Sequence, residues 1–321
     1  MSQSMTHVES IRPSSDERQV LAEMTINARK GTPLETGKTV ETLASDIEAI
    51  SADRNNQVLV AVDDNRKIVG WISYYMGFRL MAFINGFLPV VDPMHEPEKI
   101  ATSLIRASME DIVDRGFSRL EIELILPTDA HRRLSQEYIE WYKNCGFRFA
   151  AEEAHMISNL STVNLSEVLS PKESHLRKLS EACYKQLERP CLQTFQNSDD
   201  RLFRSMKPAE QEVNVRHFFR KSEPFIEDAS LVLEREGKIL GFVITRIKDD
   251  EAEIGPIGLI PGARGQGLGS YLLNLALTNL KSSNLTHASL DVSIENHPAR
   301  ALYKKFGFKD AYFKQFYFWS P

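Results

Sequence analysis

The residues with the clearest capacity for chemistry form a glycine-rich segment, Arg264-Gly265-Gln266-Gly267-Leu268-Gly269-Ser270. Apolar Ile257 and Leu259 before it predict a strand, and the leucines repeating after it predict an amphipathic helix. The first turn of a helix leaves backbone N–H groups without partners and carries partial positive charge. Because glycines let an anion approach that backbone and Arg264 adds a charged donor, the segment predicts a pyrophosphate-binding corner.

Spacing excludes two common phosphate-binding motifs. A Rossmann fingerprint requires Gly-x-Gly-x-x-Gly, whereas the glycines here lie at positions 265, 267 and 269, and no acidic residue follows a second strand at the expected distance. A P-loop requires Gly-Lys-Ser/Thr, which this segment lacks. The corner therefore belongs to another class of phosphate site.

A second motif follows about thirty residues downstream. Residues 288–294 alternate as a strand, and residues 296–308 read as a short helix ended by Gly307. The Arg-Gly-x-Gly-x-Gly corner and the later Asn-x-x-Ala-x-x-Leu-Tyr-x-x-x-Gly-Phe segment resemble the GNAT superfamily of N-acetyltransferases. The resemblance covers roughly residues 160–321.

The resemblance implies acetyl-CoA as cosubstrate and assigns residues to it. These are Ile257, Leu259 and Ile260 through the strand backbone, then Arg264, Gly265, Gln266, Gly267, Leu268, Gly269 and Ser270 at the corner, then Asn296 and Tyr303. Tyr303 matches the family's tyrosine that protonates the coenzyme thiolate, although an aromatic ring at this position could also only pack. Asn296 could cap the helix, contact the coenzyme, or do both. No metal site is predicted.

The group that accepts the proton of the amine is left open between two carboxylates and water. Glu253 occupies a strand position where the family often has a glutamate base, and Asp291 on the next strand is the competitor. Gly255-Pro256 predicts a bulge that would help the two strands to separate. The resemblance implies direct transfer, without a covalent enzyme intermediate.

The sequence also contains an internal repeat. Lys67–Trp71 resembles Lys238–Phe242 at a separation of 171 residues, and Gly146-Phe147 precedes Gly307-Phe308 by 161 residues. The predicted fold is therefore α/β (α+β), with two tandem GNAT-type domains, each a mixed, mostly antiparallel sheet flanked by helices. We expect the domains to comprise residues 1–160 and 161–321.

The first copy differs at the corner. Aligning Pro93 with Pro261 places Glu96, Pro97, Glu98 and Lys99 where the second copy has Arg264, Gly265, Gln266 and Gly267. Two carboxylates would repel a pyrophosphate, and proline removes an N–H donor. Domain 1–160 is therefore predicted to lack a coenzyme site, similar to the arrangement in mycothiol synthase.

Three further elements are expected along the chain. Residues up to Asn56 after the first helix form a polar segment, residues 83–91 form one strand, and Pro171 begins a helix. The acceptor site is expected among residues 174–219 and the aromatic tail 312–319, with the first domain as a further candidate contributor.

Composition limits the classes of function. The 321 residues carry a net charge of -5, which argues against nucleic-acid binding by a general basic field. The N-terminus lacks a signal-peptide pattern, no apolar run approaches a bilayer span, and three cysteines are too few for a disulfide framework. We expect a cytoplasmic monomer or homodimer that acetylates a primary amine on a small molecule or peptide. The alternatives are an acyl-CoA-sensing binding module and an enzyme using a longer acyl donor.

Overall fold

The computed structural model describes residues 6–78, 80–163, 165, 171, 173–182, 184–219, 224–248 and 250–321. The chain forms two compact units. The first comprises residues 1–150 and 315–321, and the second comprises residues 151–314. The division falls ten residues before the predicted position 160 and assigns the last seven residues to the first unit.

The first unit is a mixed sheet with helices. Its elements are β1 (His7–Ile11), α1 (Ser15–Arg29), α2 (Val40–Ala52), β2 (Asn56–Val62), β3 (Ile68–Phe78), β4 (Met81–Ile84), β5 (Val90–Val91), α3 (Pro97–Asp114), β6 (Arg119–Leu126) and α4 (Asp129–Asn144). The strand order is β1-β2-β3-β4-β6, with β5 paired to β3. The β4–β6 pair is parallel, and the other pairs are antiparallel.

Two predictions for this unit were wrong. The polar segment before Asn56 contains helix α2, which Thr39 caps and which buries Ile47 against the core. Residues 83–91 do not form one strand, because Phe87 adopts a φ of +59° and separates β4 from β5.

The second unit repeats the pattern. Its elements are β7 (Arg148–Asn159), which begins in the first unit, β8 (Ser174–Lys178), α5 (Tyr184–Gln196), α6 (Arg201–Arg204), α7 (Pro208–Phe218), β9 (Leu231–Arg235), β10 (Lys238–Lys248), β11 (Glu251–Leu259), α8 (Leu268–Lys281), β12 (His287–Ser293), α9 (His297–Lys305) and β13 (Lys309–Trp319). Strands are ordered β7-β12-β11-β10-β9-β8, and only β11–β12 among these described pairs is parallel. The α/β class with a mostly antiparallel sheet is thus confirmed. The expected helix after Pro171 is wrong, because residues 174–178 form strand β8 instead.

The core of the second unit lies between its sheet and helix α8. The helix buries Leu272, Ala276 and Leu280, as its periodicity predicts, and they pack in one cluster with strand residues such as Ala252 and Leu290. This burial fixes the start of α8 beside the end of β11.

Strands β11 and β12 separate as the sequence suggested. They pair only at Ala252 with Ala288 and at Glu253 with Ser289. The register of β10 against β11 shifts between Val243 and Thr245, opposite Gly255-Pro256, which confirms the predicted bulge. Beyond this bulge, the edge of β11 that faces β12 has no strand partner within the described residues.

Among the described residues, no helix is both long and apolar enough to cross a bilayer. Within the same residues, no group of three or more His, Cys, Asp or Glu side chains could hold a metal ion. Cys145 and Cys191 are buried as free thiols, and Cys183 lies outside the described residues.

Candidate active site

A cavity of about 410 Å³ lies where β11 and β12 separate. Its wall combines strand residues, the start of α8, residues of α9 and the segment that follows α5. The wall residues include Glu153, Thr194, Asn197, Asp199, Asp200, Ile257, Gly258, Leu259, Arg264, Gly265, Gly267, Leu268, Gly269, Ser270, Asp291, Asn296, Leu302 and Tyr303. Most of the residues assigned to the coenzyme are therefore brought together in one cavity.

The glycine-rich corner presents bare backbone to this cavity. Gly265 and Gly267 have φ angles of +74° and +76°, which L residues rarely adopt, and a Cβ atom on either would meet nothing within 4 Å. Gly267 is the N-cap of α8, and no side chain caps this end. The first intrahelical bond is donated by the Tyr271 N–H to the Gly267 oxygen, at 3.1 Å. The preceding N–H groups and the open glycines therefore fit an anionic pyrophosphate.

Arg264 has a structural task at this corner. Its guanidinium donates to the backbone oxygens of Thr194 at 2.8 Å, Leu259 at 3.3 Å, and Asn197. The first and last of these oxygens belong to the end of α5 and the residues just after it. Arg264 therefore ties α5 to the corner, and a direct bond from its side chain to pyrophosphate stays a prediction.

Three predicted site residues lie outside the cavity wall. The Ile260 N–H donates to the Leu240 oxygen at 2.9 Å, and the Gln266 side-chain amide donates to the Gly262 oxygen at 3.0 Å. Glu253 forms an ion pair with Lys248 at 3.0 Å. None of the three faces the position where the other predicted residues meet.

Tyr303 is held at the cavity by helix α9. The Asn296 side chain caps this helix by accepting from the Ala299 N–H at 3.2 Å. Tyr303 is only 6% exposed and packs near Phe308, yet within the described part of the chain its hydroxyl has no hydrogen-bond partner. Burial, together with the nearby charge of Asp200, raises the pKa of Tyr303. The phenol therefore stays protonated near neutral pH and can donate that proton.

The repeat supplies an internal comparison, because Tyr142 occupies the corresponding helix of the first unit. It lies before Gly146, which has a φ of +90°, as Tyr303 lies before Gly307, which has a φ of +88°. The Tyr142 hydroxyl is buried and donates to the Leu88 backbone oxygen. The same residue is thus structural in one copy and available to a cavity in the other.

Asp291 is held as an anion in the cavity wall. It accepts from Lys314 at 2.8 Å and is paired with the His155 ring at 2.7 Å. Burial alone would raise its pKa, but the bonds from His155 and Lys314 outweigh burial and lower the pKa of Asp291. A carboxylate with two such partners is a weak proton acceptor.

Asp200 is an ionisable wall residue that the sequence analysis did not single out. It caps α6 by accepting from the Phe203 N–H at 2.9 Å. Burial raises its pKa, although the N–H groups of Leu202 and Phe203 oppose that shift. Asp at the start of a helix is an ordinary cap signal, and nothing local predicts that this cap lies beside Tyr303.

The corresponding corner of the first unit is shorter than the alignment assumed. Helix α3 starts at Pro97 with Glu96 as its N-cap. When the starts of α3 and α8 are aligned, Glu96 therefore corresponds to Gly267 rather than to Arg264. The Glu96 carboxylate and the missing glycines both disfavour a bound pyrophosphate.

Comparisons with known proteins agree with this geometry. Residues 192–308 match the Acetyltransferase (GNAT) family. A putative ribosomal protein bS18-alanine N-acetyltransferase of Bacillus subtilis is 38% identical over 88 residues, which are 27% of this chain and 58% of that protein. A mycothiol acetyltransferase of Streptomyces avermitilis is 37% identical over 92 residues, which are 28% of this chain and 30% of that protein. The matches thus span less than two thirds of either relative.

Solved structures extend the fold likeness to nearly the whole chain. A GCN5-related N-acetyltransferase from Sphaerobacter thermophilus has a TM-score of 0.60 at 14% identity, over 98% of this chain and 95% of that one. A tandem GNAT protein from the clavulanic acid biosynthesis pathway has a TM-score of 0.52 at 13% identity, over 98% of both chains. Residues 192–308 therefore match the GNAT acetyltransferase family, and nearly the whole chain shares the fold of these two solved structures.

Proposed function

We propose that the protein is an acetyl-CoA-dependent N-acetyltransferase that transfers an acetyl group directly to a primary amine. The observation that carries the proposal is the cavity of the second unit, whose wall contains a helix start and a buried phenol that, among the described residues, have no side-chain cap and no hydrogen-bond partner respectively. The first feature suits a pyrophosphate and the second suits a departing thiolate.

Different residues of the second unit bind the coenzyme and donate the proton. The N–H groups at Leu268, Gly269 and Ser270 hold the phosphates, since these groups have no intrahelical acceptors. The unpaired edge of β11 at Ile257 and Leu259 receives the amide groups of the pantetheine arm. Tyr303 donates its proton to the sulfur as the bond between acyl carbon and sulfur breaks.

The first unit has another part in this proposal. We assign coenzyme binding and catalysis to residues 161–321, and a structural role without coenzyme to residues 1–160. Support comes from Glu96 at the start of α3 and from the bond that occupies the Tyr142 hydroxyl. A cytoplasmic monomer or homodimer stays our expectation.

The acceptor is proposed only as an amine. One relative's name specifies alanine of a ribosomal protein, and another relative is named for mycothiol. A thiol-release screen against amino acids, polyamines, aminoglycosides and peptides with N-terminal alanine tests the proposal. Release of coenzyme A that depends on one of these amines supports it.

Two results would redirect the proposal. Tight calorimetric binding of acetyl-CoA without release for any amine would favour an acyl-CoA-sensing module. Faster release from longer acyl-CoA donors would instead favour a longer acyl group. The Tyr303→Phe variant provides the background rate in each case.

A further inference from the structure

Asp200 and Tyr303 share the candidate cavity although they are about a hundred residues apart in sequence. Tyr303 is 6% exposed, and its hydroxyl lacks a hydrogen-bond partner among the described residues. Asp200 is half-buried, and its carboxyl position is fixed by the 2.9 Å bond from the Phe203 N–H. The two groups are close enough for the charge of Asp200 to act on the phenol.

We propose that Asp200 is the catalytic residue that accepts the proton of the attacking amine, and that Asp200 and Tyr303 act as one proton-exchanging pair. This inference rests on the proposed acetyltransferase function. It names a base that lies outside both strands considered from the sequence.

The proton transfers balance within this pair. As the amine nitrogen bonds to the acetyl carbon, one N–H proton passes to the Asp200 carboxylate. The bond between the acetyl carbon and sulfur breaks, and the sulfur takes the Tyr303 proton. Asp200 then returns its proton to the Tyr303 oxygen through a bridging water, which restores both groups. No oxidant or other reactant is required.

The charge of Asp200 favours this order of the two proton transfers. Burial is the main cause of the raised pKa of Tyr303, and while Asp200 is ionised its charge adds an opposition of its own to formation of a phenolate. Once Asp200 has accepted a proton, that opposition disappears. Loss of the proton from Tyr303 therefore becomes easier at the step that requires it.

The two carboxylates predicted from the sequence are less suited to this step. Glu253 pairs with Lys248 and lies outside the cavity wall. Asp291 lies in the wall but accepts from both His155 and Lys314. A carboxylate stabilised as an anion by two side-chain hydrogen bonds is a poor base, whereas burial of Asp200 favours its protonated form.

Other charged groups share the surroundings of Asp200. Asp199 precedes it, and the following Arg201 is paired with Glu295 at 2.7 Å. The remaining ionisable groups of the cavity wall are Glu153 and Asp291 from the strands, Arg264 from the corner and Tyr303 from α9. Asp228 has the same side chain but lies outside the cavity wall, where it pairs with Lys178 at 2.7 Å, so it provides a matched control.

The test compares Asp200→Asn with Asp228→Asn in the full chain. Asparagine also accepts from a backbone N–H at an N-cap, so the α6 cap is retained. We expect Asp200→Asn to lower kcat by about a hundredfold or more, with unchanged Kd for acetyl-CoA. Asp228→Asn should keep a near wild-type rate, and Glu253→Gln should lose far less activity than Asp200→Asn. Asp200→Ser, another capping residue, should reproduce the loss of kcat.

The pH dependence separates a proton acceptor from a structural residue. Below the pKa of Asp200, the wild-type carboxyl is protonated and cannot accept a proton either. The rate deficit of Asp200→Asn should therefore be largest above that pKa and shrink as pH falls, whereas a structural defect would persist at every pH.

Two outcomes would overturn the inference in different ways. An active wild type with an equally active Asp200→Asn variant would reject Asp200 as the base and leave the proposed function intact. A pH-independent deficit would reject the proton-accepting role in the same way. A wild type that turns over no amine of the panel would reject the proposed function, and the role of Asp200 with it.

Discussion

Substitution of the two corresponding tyrosines by phenylalanine should separate catalysis from stability. The Tyr142 hydroxyl is buried and bonded to the Leu88 oxygen, so Tyr142→Phe leaves a buried carbonyl without that donor. Such a loss costs about 1–3 kcal/mol of unfolding free energy. For a unit of this size it corresponds to a Tm lower by about 2–12 °C.

Tyr303→Phe should behave in the opposite way. Its hydroxyl has no partner in the described part of the chain, and the ring still packs near Phe308. We expect unfolding free energy within about 0.5 kcal/mol of wild type. Loss of the proton donor should lower kcat by about a hundredfold or more, with little change in coenzyme affinity.

The assay combines steady-state thiol release, calorimetry with acetyl-CoA and thermal unfolding for both variants. The reasoning predicts a slow, stable Tyr303→Phe and an active, less stable Tyr142→Phe. A Tyr303→Phe variant within a few fold of the wild-type rate would refute the assignment of the acid. A Tyr142→Phe variant of unchanged Tm would refute the proposed stabilising role of the hydrogen bond from Tyr142 to Leu88.

Three other predictions follow from the second unit and one from the first. Arg264→Met should weaken acetyl-CoA binding and also lower stability by about 1–3 kcal/mol, because α5 loses its tie to the corner; calorimetry and thermal melts measure both. Gly267→Ala should lower the unfolding free energy by about 1–2 kcal/mol, because Gly267 has a left-handed φ. Gly269→Ala should leave the unfolding free energy nearly unchanged in chemical denaturation, because its Cβ would meet Leu302 at an ordinary 3.5 Å. Asp291 has a lowered pKa when folded, so the Tm advantage of wild type over Asp291→Asn should be present above about pH 4 and disappear as pH falls through that lowered pKa. Native mass spectrometry with saturating acetyl-CoA should show one coenzyme per chain, and two would contradict a first unit without a site.

The sequence predicted those parts of the site that depend on local backbone chemistry. The corner, the start of α8, the bulge at Gly255-Pro256 and the Asn296 cap all follow from residue types within a few positions. Gly and Pro restrict backbone geometry directly, so such features can be recognised without a fold.

Features that depend on distant contacts were not predicted. Arg264 looked like a free cation, but α5 brings backbone oxygens within its reach. Asp200 looked like an ordinary helix cap, and only the packing of the second unit places it beside Tyr303. Helix α2 is a different case, because Val40, Leu43 and Ile47 recur at the spacing of an amphipathic helix and Thr39 caps it, so its local signal was overlooked.

Transfer from deuterated acetyl-CoA tests the central claim most directly, with coenzyme A and acetylated amine quantified in the same reaction by mass spectrometry. The account predicts one deuterated acetyl group on nitrogen for each coenzyme A released, at a rate that Tyr303→Phe reduces about a hundredfold or more. Saturable coenzyme binding with no acetylated amine, or equal product from Tyr303→Phe, would contradict it.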